Sequence, residues 1–191
     1  MRYLILALCI ATSCSAQDAD GICQITKYAD DGTTTQWCGV AISKDRVLSC
    51  GHHRSTGDVR IEFCLGEYGS PYRVVVPGKI LRADTKRDLS ILSYEAPPWM
   101  RLRTYVVGRP KGQPSIRGFL RGSCEVRQGL PGREGLKVDG FIVREILTDC
   151  QQGLSGSPLV SGYTVGGILI GSGDGVSHCV SPETILEWLE E

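Results

Sequence analysis

The sequence lacks the marks of several protein classes. No apolar run approaches the roughly 20 residues that a bilayer-spanning helix needs; the longest, residues 3–11, reaches about half of that. Neither sign of charge is in excess: 21 Lys and Arg balance 21 Asp and Glu, so nothing global attracts nucleic acid or an anionic membrane. Aromatic residues make up only 7% and histidines number three, which leaves few candidates for imidazole chemistry. Low-complexity tracts and fixed-period repeats are absent. With 41% hydrophobic and 22% charged residues, the collagen-like, coiled-coil and disordered classes are excluded. Glycine, at 24, and cysteine, at nine, are abundant in a chain of 191 residues, the size of one domain with a substantial core. So much glycine implies many tight turns, and so much cysteine raises the question of compartment.

The N-terminus bears on that question. Met1-Arg2 gives a short positive start, residues 3–11 are apolar, and small residues follow in Thr12-Ser13-Cys14-Ser15-Ala16. This is the pattern of an export signal over residues 1–16, so the mature chain is expected to be soluble, secreted or periplasmic, and without a membrane span. A second reading takes Cys14 as the site of a lipid anchor. Removal of the signal leaves seven cysteines, at 23, 38, 50, 64, 124, 150 and 179, and an odd number leaves at least one thiol free or paired with another chain. Roughly two or three disulfides are expected in an oxidising compartment. Cys38 with Cys50 is the first candidate pair, because a turn at Ser43-Lys44-Asp45-Arg46 would fold 40–42 back on 47–49.

Downstream, short apolar or alternating runs are broken by turn residues. The spacing predicts strands over 21–27, 37–42, 46–49, 59–65, 73–80, 88–94, 104–108, 116–126, 136–147, 158–161 and 164–170, the pattern of an all-β barrel or sandwich. Only 182–191 reads as a helix, with Ser181 as N-cap, Pro182 in the first turn, and Ile185, Leu186 and Leu189 on one face. The stretch Ala96-Pro97-Pro98-Trp99 is the candidate boundary between two β units. Between Arg101 and Arg133 lie eight basic residues and one acid, Glu125. They form either a solvated face or a surface that attracts an acidic peptide or polyanion.

Three segments together suit nucleophilic acyl transfer. Val47-Leu48-Ser49-Cys50-Gly51-His52-His53 places imidazoles just beyond a strand. Arg87-Asp88-Leu89-Ser90-Ile91-Leu92 places an acid at the start of another, and Gly153-Leu154-Ser155-Gly156-Ser157-Pro158 places a serine on a tight turn. An alcohol, a base near neutral pKa and a carboxylate that orients the base are the parts this chemistry requires. Ser155, Asp174 and His178 also follow the order of α/β-hydrolases, but that elbow needs glycine where Ser157 stands, and strand–helix alternation is missing. A metal site from Cys50, His52, His53, His178 and Cys179 matches no common zinc spacing. No metal and no cofactor is therefore expected.

The segment around Ser155 resembles the Gly-Asn-Ser-Gly-Ser-Pro and Gly-Asp-Ser-Gly-Gly-Pro signatures of trypsin-like, chymotrypsin-fold serine proteases, nearest to the bacterial glutamyl-endopeptidase and HtrA-type branches. Cys38-Gly39-Val40-Ala41-Ile42-Ser43, Val47-Leu48-Ser49-Cys50-Gly51-His52 and Asp88-Leu89-Ser90-Ile91-Leu92 are similar to further landmarks of that family. So are Val107-Gly108-Arg109-Pro110-Lys111-Gly112 and the run 175–182.

The resemblance implies an all-β fold of two six-stranded antiparallel β-barrels with a short C-terminal helix. The protease domain would span 17–191, with barrels over about 22–96 and 100–180 and the helix at 182–191. It implies an endopeptidase with Ser155 as nucleophile, His52 as general base and Asp88 as its orienting carboxylate. Register selects His52 over His53. Gly153 and Ser155 would offer backbone N–H groups to the oxyanion, and Thr148, Leu169, Ile170 and Ser172 would lie near the substrate pocket. The implied partner is a protein or peptide substrate, not nucleic acid. No acid among those four pocket residues recruits Lys or Arg, so cleavage after basic residues is disfavoured; a small or apolar preference and an acidic one, for which His178 is the candidate receptor, both stay open. Leu154 stands where family members activated by proteolysis carry Asp, so no activation switch of that kind is expected. No PDZ-type extension follows Glu191. The alternative is a weak or inactive protease-like module that binds peptides.

Overall fold

The computed structural model describes residues 17–53, 57–138 and 141–191; the export signal, Cys9 and Cys14 lie outside them. Six strands build the first half: β1 (Gln17–Tyr28), β2 (Thr34–Ser43), β3 (Arg46–Ser49), β4 (Asp58–Leu65), β5 (Arg73–Asp84) and β6 (Leu89–Tyr94). Antiparallel ladders run β2-β3-β6-β5-β4-β1, and β1 pairs back to β2, which closes a six-stranded barrel with no free edge. Alternation sets the faces. In β5 Val74 and Val76 point inward while Val75 and Pro77 face out. Ile22, Ile25, Val40, Leu48, Ile61, Phe63 and Leu92 are fully buried inside, each contributing about 1.5–3 kcal/mol on burial. Gly78 belongs to this layer because a Cβ there would stand 2.5 Å from Ile61 Cδ1.

A short β7 (Met100–Leu102) runs parallel to the start of β1 and leads to β8 (Val106–Val107). The second half comprises β9 (Ser115–Leu120), β10 (Ser123–Gln128), β11 (Leu130–Pro131), β12 (Leu136–Val138), β13 (Phe141–Leu147), β14 (Pro158–Ser161), β15 (Thr164–Gly173) and β16 (Val176–Val180). Its order is β10-β9-β14-β15-β16-β13-β11, with β12 also on β13 and β8 on β15. This nine-stranded sheet curves into a half-barrel. Among the described residues no ladder joins β10 to β11 or β12, so this unit stays more open than the fully closed barrel expected. Tyr68, from the β4–β5 connection, reaches the β9–β10 ladder: its hydroxyl donates to Glu125 O (2.8 Å) and to Gly118 O, the cross-strand partner of Glu125, and accepts from Glu125 N (3.1 Å).

Helix α1 (Pro182–Glu190) starts where the sequence places it, with Ser181 Oγ accepting from Thr184 N (3.3 Å). Its buried face differs from expectation. Ile185 and Trp188 are buried while Leu186 is 42% exposed, because the large indole, three residues after Ile185, takes the inner position. Arg82 covers that indole at 4.4 Å. No helix among the described residues is long and apolar enough to cross a membrane.

All seven described cysteines are free. The β2–β3 register brings Cys38 and Cys50 to the same end of the ladder, as the expected pairing supposed, yet their thiols turn apart. Cys38 Sγ faces Phe119 O (3.4 Å) and Gly153 O (3.7 Å), whereas Cys50 Sγ faces His52 Nε2 (3.9 Å). The basic run 101–133 is not a bare cationic face. Arg103, Arg109, Arg127 and Arg133 pair with Asp20, Glu183, Glu125 and Glu145, three of them acids from outside the run.

Candidate active site

His52 follows β3, and Asp88 immediately precedes β6. These strands pair, with Ser49 opposite Ser90, so the two side chains are delivered to one end of the barrel. Ser90 Oγ donates to Cys50 O (2.7 Å) and pins the connecting segment. Gly51 passes where no side chain fits, since a Cβ would lie 2.7 Å from both Asp84 O and Leu89 O. Asp88 adopts the left-handed region (φ 53°), which turns its carboxylate back over this segment. Oδ1 accepts from Gly51 N (2.8 Å) and His52 N (2.6 Å), while Oδ2 meets His52 Nδ1 at 2.8 Å. With the carboxylate held by two backbone donors, the imidazole is fixed with Nδ1 as the protonated nitrogen and Nε2 as the free base.

Ser155 comes from the other unit. The chain from Gln151 to Ser157 forms two successive turns, closed by Leu154 N to Gln151 O (3.2 Å) and Ser157 N to Leu154 O (3.0 Å). It is tied to the first barrel by Cys38 N donating to Ser155 O (2.8 Å). Among the described residues neither Gly153 N nor Ser155 N donates to a protein acceptor. Gly153 has φ 101°, a conformation glycine permits. A cleft of ≈ 600 Å³ between the two units is walled on one side by Gln24, Gln36, His52 and His53 and on the other by Arg121, Gly153 and Ser155. Ser155 Oγ and His52 Nε2 share this cleft without a direct hydrogen bond among those described. Such bonds commonly tighten only when substrate is bound.

No protein-family model and no curated protein sequence matches the chain. Solved structures do. The Rv3671c protease of M. tuberculosis, in its active form, superposes with TM-score 0.66 at 19% identity, over 89% of this chain and 79% of that one. A serine endoprotease of Yersinia pestis gives 0.71 at 17% identity, over 89% of this chain and 61% of that one. A human pathogenic astrovirus serine protease gives 0.57 at 14% identity, over 84% and 88%. The chain has the chymotrypsin-like serine protease fold.

Within the chymotrypsin-like fold, several side chains depart from the sequence expectation or add to it. The Leu154 side chain is wholly buried and adds apolar packing to the backbone hydrogen bonds that hold the Ser155 loop. Of the four pocket candidates, Leu169 is sealed in the core, its N–H donating to Ser157 O (2.9 Å). Ser172 Oγ accepts from Cys150 N (3.0 Å), and Thr148 O accepts from Ser177 Oγ (2.7 Å). Ile170 is half-buried on β15 between them. These contacts lay residues 148–150 along the β15–β16 hairpin, and none of the four lines the cleft described above.

His178, the candidate for recruiting an acidic side chain, instead faces Glu145 Oε1 at 3.6 Å. Asp149 escaped the sequence reading. It lies six residues before Ser155, is exposed, and its Oδ1 accepts from Gly175 N (3.0 Å) at the tip of that hairpin. Its position between Thr148 and Ser155 was the available signal.

The five-residue metal centre is not assembled, because His178 and Cys179 lie on β16, on the far unit. Cys50, His52 and His53 do converge, with one ligand atom of each within 4.8 Å of the others. His53 stacks on Trp37 at 4.8 Å, and its pKa falls to about 4 through burial first and the neighbouring His52 second.

Proposed function

We propose that this chain is an exported serine endopeptidase that hydrolyses peptide bonds through an acyl-enzyme. The observation that carries the reading is Asp88 holding His52 on one wall of a cleft whose other wall bears Ser155, beside two backbone N–H groups that have no acceptor among the described residues. In this mechanism His52 Nε2 takes the Ser155 hydroxyl proton as Oγ attacks the scissile carbonyl. Gly153 N and Ser155 N donate to the oxyanion, and loss of one such donor typically costs about 3 kcal/mol of transition-state stabilisation. The imidazolium then gives its proton to the leaving amine. Water, deprotonated by the same nitrogen, releases the acyl group.

Substrate recognition runs along 148–150 and 170–177. His178, already facing a carboxylate, is a poor receptor for an acidic side chain, whereas Asp149 offers one to a basic side chain. A cleavage profile on a peptide library tests both parts. Cutting with Lys or Arg enriched before the scissile bond supports them; cutting with another preference rejects the role of Asp149, and no cutting rejects the peptidase. In the oxidising compartment implied by export, Cys64 and Cys124 are the pair placed to join.

A further inference from the structure

The Cys50, His52 and His53 cluster occupies the base side of the cleft, and of its three members only His52 takes part in the acyl-transfer steps. We propose that it is an inhibitory site for a thiophilic divalent transition metal of the zinc class, which binds Cys50 Sγ, His52 Nε2 and a ring nitrogen of His53. The inhibitory role rests on the peptidase reading; the metal site itself does not.

The donor set is one thiolate and two imidazoles, the combination zinc favours and magnesium or calcium does not. Cys50 Sγ already stands 3.9 Å from His52 Nε2, and the three ligand atoms fit within 4.8 Å. Tetrahedral zinc, with Zn–S about 2.3 Å and Zn–N about 2.0–2.1 Å, needs S···N near ~3.6 Å and N···N near ~3.3 Å. From 4.8 Å, the longest of these separations therefore has to close by about 1.2–1.5 Å. The surroundings also suit a metal. Asp88 on His52 Nδ1 supplies the carboxylate–histidine–metal relay that orients a ligating imidazole. The ring of His53 is held by its stack on Trp37 and sits 4.3 Å from that of His52. The cleft offers a path in and room for water at the fourth position.

Binding displaces the Cys50 S–H proton to solvent, since the metal deprotonates a coordinating thiol. Thiolate and Asp88 carboxylate then balance the dipositive ion. The lone pair on His52 Nε2 is the one that must accept the Ser155 proton. Metal and substrate chemistry therefore exclude each other, and chelation restores the base.

The test uses the mature chain with Zn²⁺ and, as a spectroscopic probe, Co²⁺. Co²⁺ is expected to give a thiolate-to-metal charge-transfer band that disappears in Cys50→Ala and persists in Cys124→Ser. Zn²⁺ is expected to slow fluorophosphonate labelling reversibly. The concentration for half-inhibition should rise by about tenfold or more in Cys50→Ala and in His53→Phe, which keeps an aromatic ring beside Trp37, each compared with its own metal-free rate. Absence of the band in wild type, or its persistence in Cys50→Ala, overturns the site. Labelling without the band rejects the metal site alone, whereas the band without any metal-free labelling upholds the metal site and rejects the peptidase.

Discussion

Gly156 carries no side chain because the carbonyl oxygen of Cys38 stands where one would be: a Cβ on Gly156 would lie 2.1 Å from Cys38 O and 2.5 Å from Ser49 Oγ. The residue next to the proposed nucleophile is thus pressed against β2 of the other unit, and Cys38 N bonds Ser155 O from the same strand. Gly156 also has φ 80°. Gly156→Ala combines a backbone clash with left-handed strain, and about 3 kcal/mol of destabilisation is expected in denaturant unfolding, together with loss of activity. An alanine variant of wild-type stability would show that the two units do not meet this closely.

Asp88→Asn separates orientation from folding. The backbone donors at Gly51 and His52 require an acceptor at the Oδ1 position, so the amide oxygen of asparagine should turn to them. Its NH₂ then faces His52 Nδ1, the proton moves to Nε2, and the base is lost with the geometry intact. Turnover is expected to fall by about 10⁴-fold with little change in the unfolding midpoint. A fall below tenfold at unchanged stability would remove Asp88 from the mechanism.

The thiols of Cys64 and Cys124 lie 3.6 Å apart across the two units, with Arg73 beside both. Oxidation should join them, closing a loop of 60 residues for a stabilisation of about 4 kcal/mol in the chain-entropy account. Peptide mass spectrometry of unreduced protein should recover a Cys64–Cys124 cross-link, and reduction should lower the melting temperature. Recovery of a Cys38–Cys50 cross-link instead would restore the pairing suggested by the turn at 43–46.

Asp20 gives a pH signature. Burial raises its carboxyl above the ordinary 3.8, against the opposing hydrogen bonds from Ile22 N–H and the Tyr105 hydroxyl. The folded chain therefore holds this proton more tightly than the unfolded one. The resulting stability is full below 3.8 and is lost as pH rises through the raised value. Asp20→Asn keeps an acceptor for Ile22 and Tyr105 but cannot ionise, so wild type should lose stability relative to the variant over that window. Urea unfolding across a pH series measures it. Parallel curves for the two proteins would place the Asp20 carboxyl at its ordinary value.

Local patterns carried much of this structure. The alternating runs place most strands, and the Ser181-Pro182 cap places α1, because these depend on neighbours in the chain. The Ser49–His52, Asp88–Leu92 and Gly153–Pro158 segments likewise mark the candidate site, since each pattern is local to its own stretch of chain. Long-range geometry was less legible. The run 116–126 splits into β9 and β10 at Arg121-Gly122, where both residues take positive φ (51° and 81°), and an arginine gives little warning of that. The reach of Tyr68 to Gly118 and Glu125, the meeting of Cys64 with Cys124, and the stacking of His53 on Trp37 each join segments with no common local pattern. Asp149 was passed over because its exposure beside Gly175 depends on how the β15–β16 hairpin folds back.

The most direct test of the proposed mechanism is fluorophosphonate labelling of the mature chain at neutral pH, with the adduct mapped by mass spectrometry. An adduct on Ser155 is expected, absent in Ser155→Ala and formed far more slowly in His52→Ala than in His53→Ala. No adduct, where a known serine protease labels in parallel, or an adduct that survives Ser155→Ala, would contradict it.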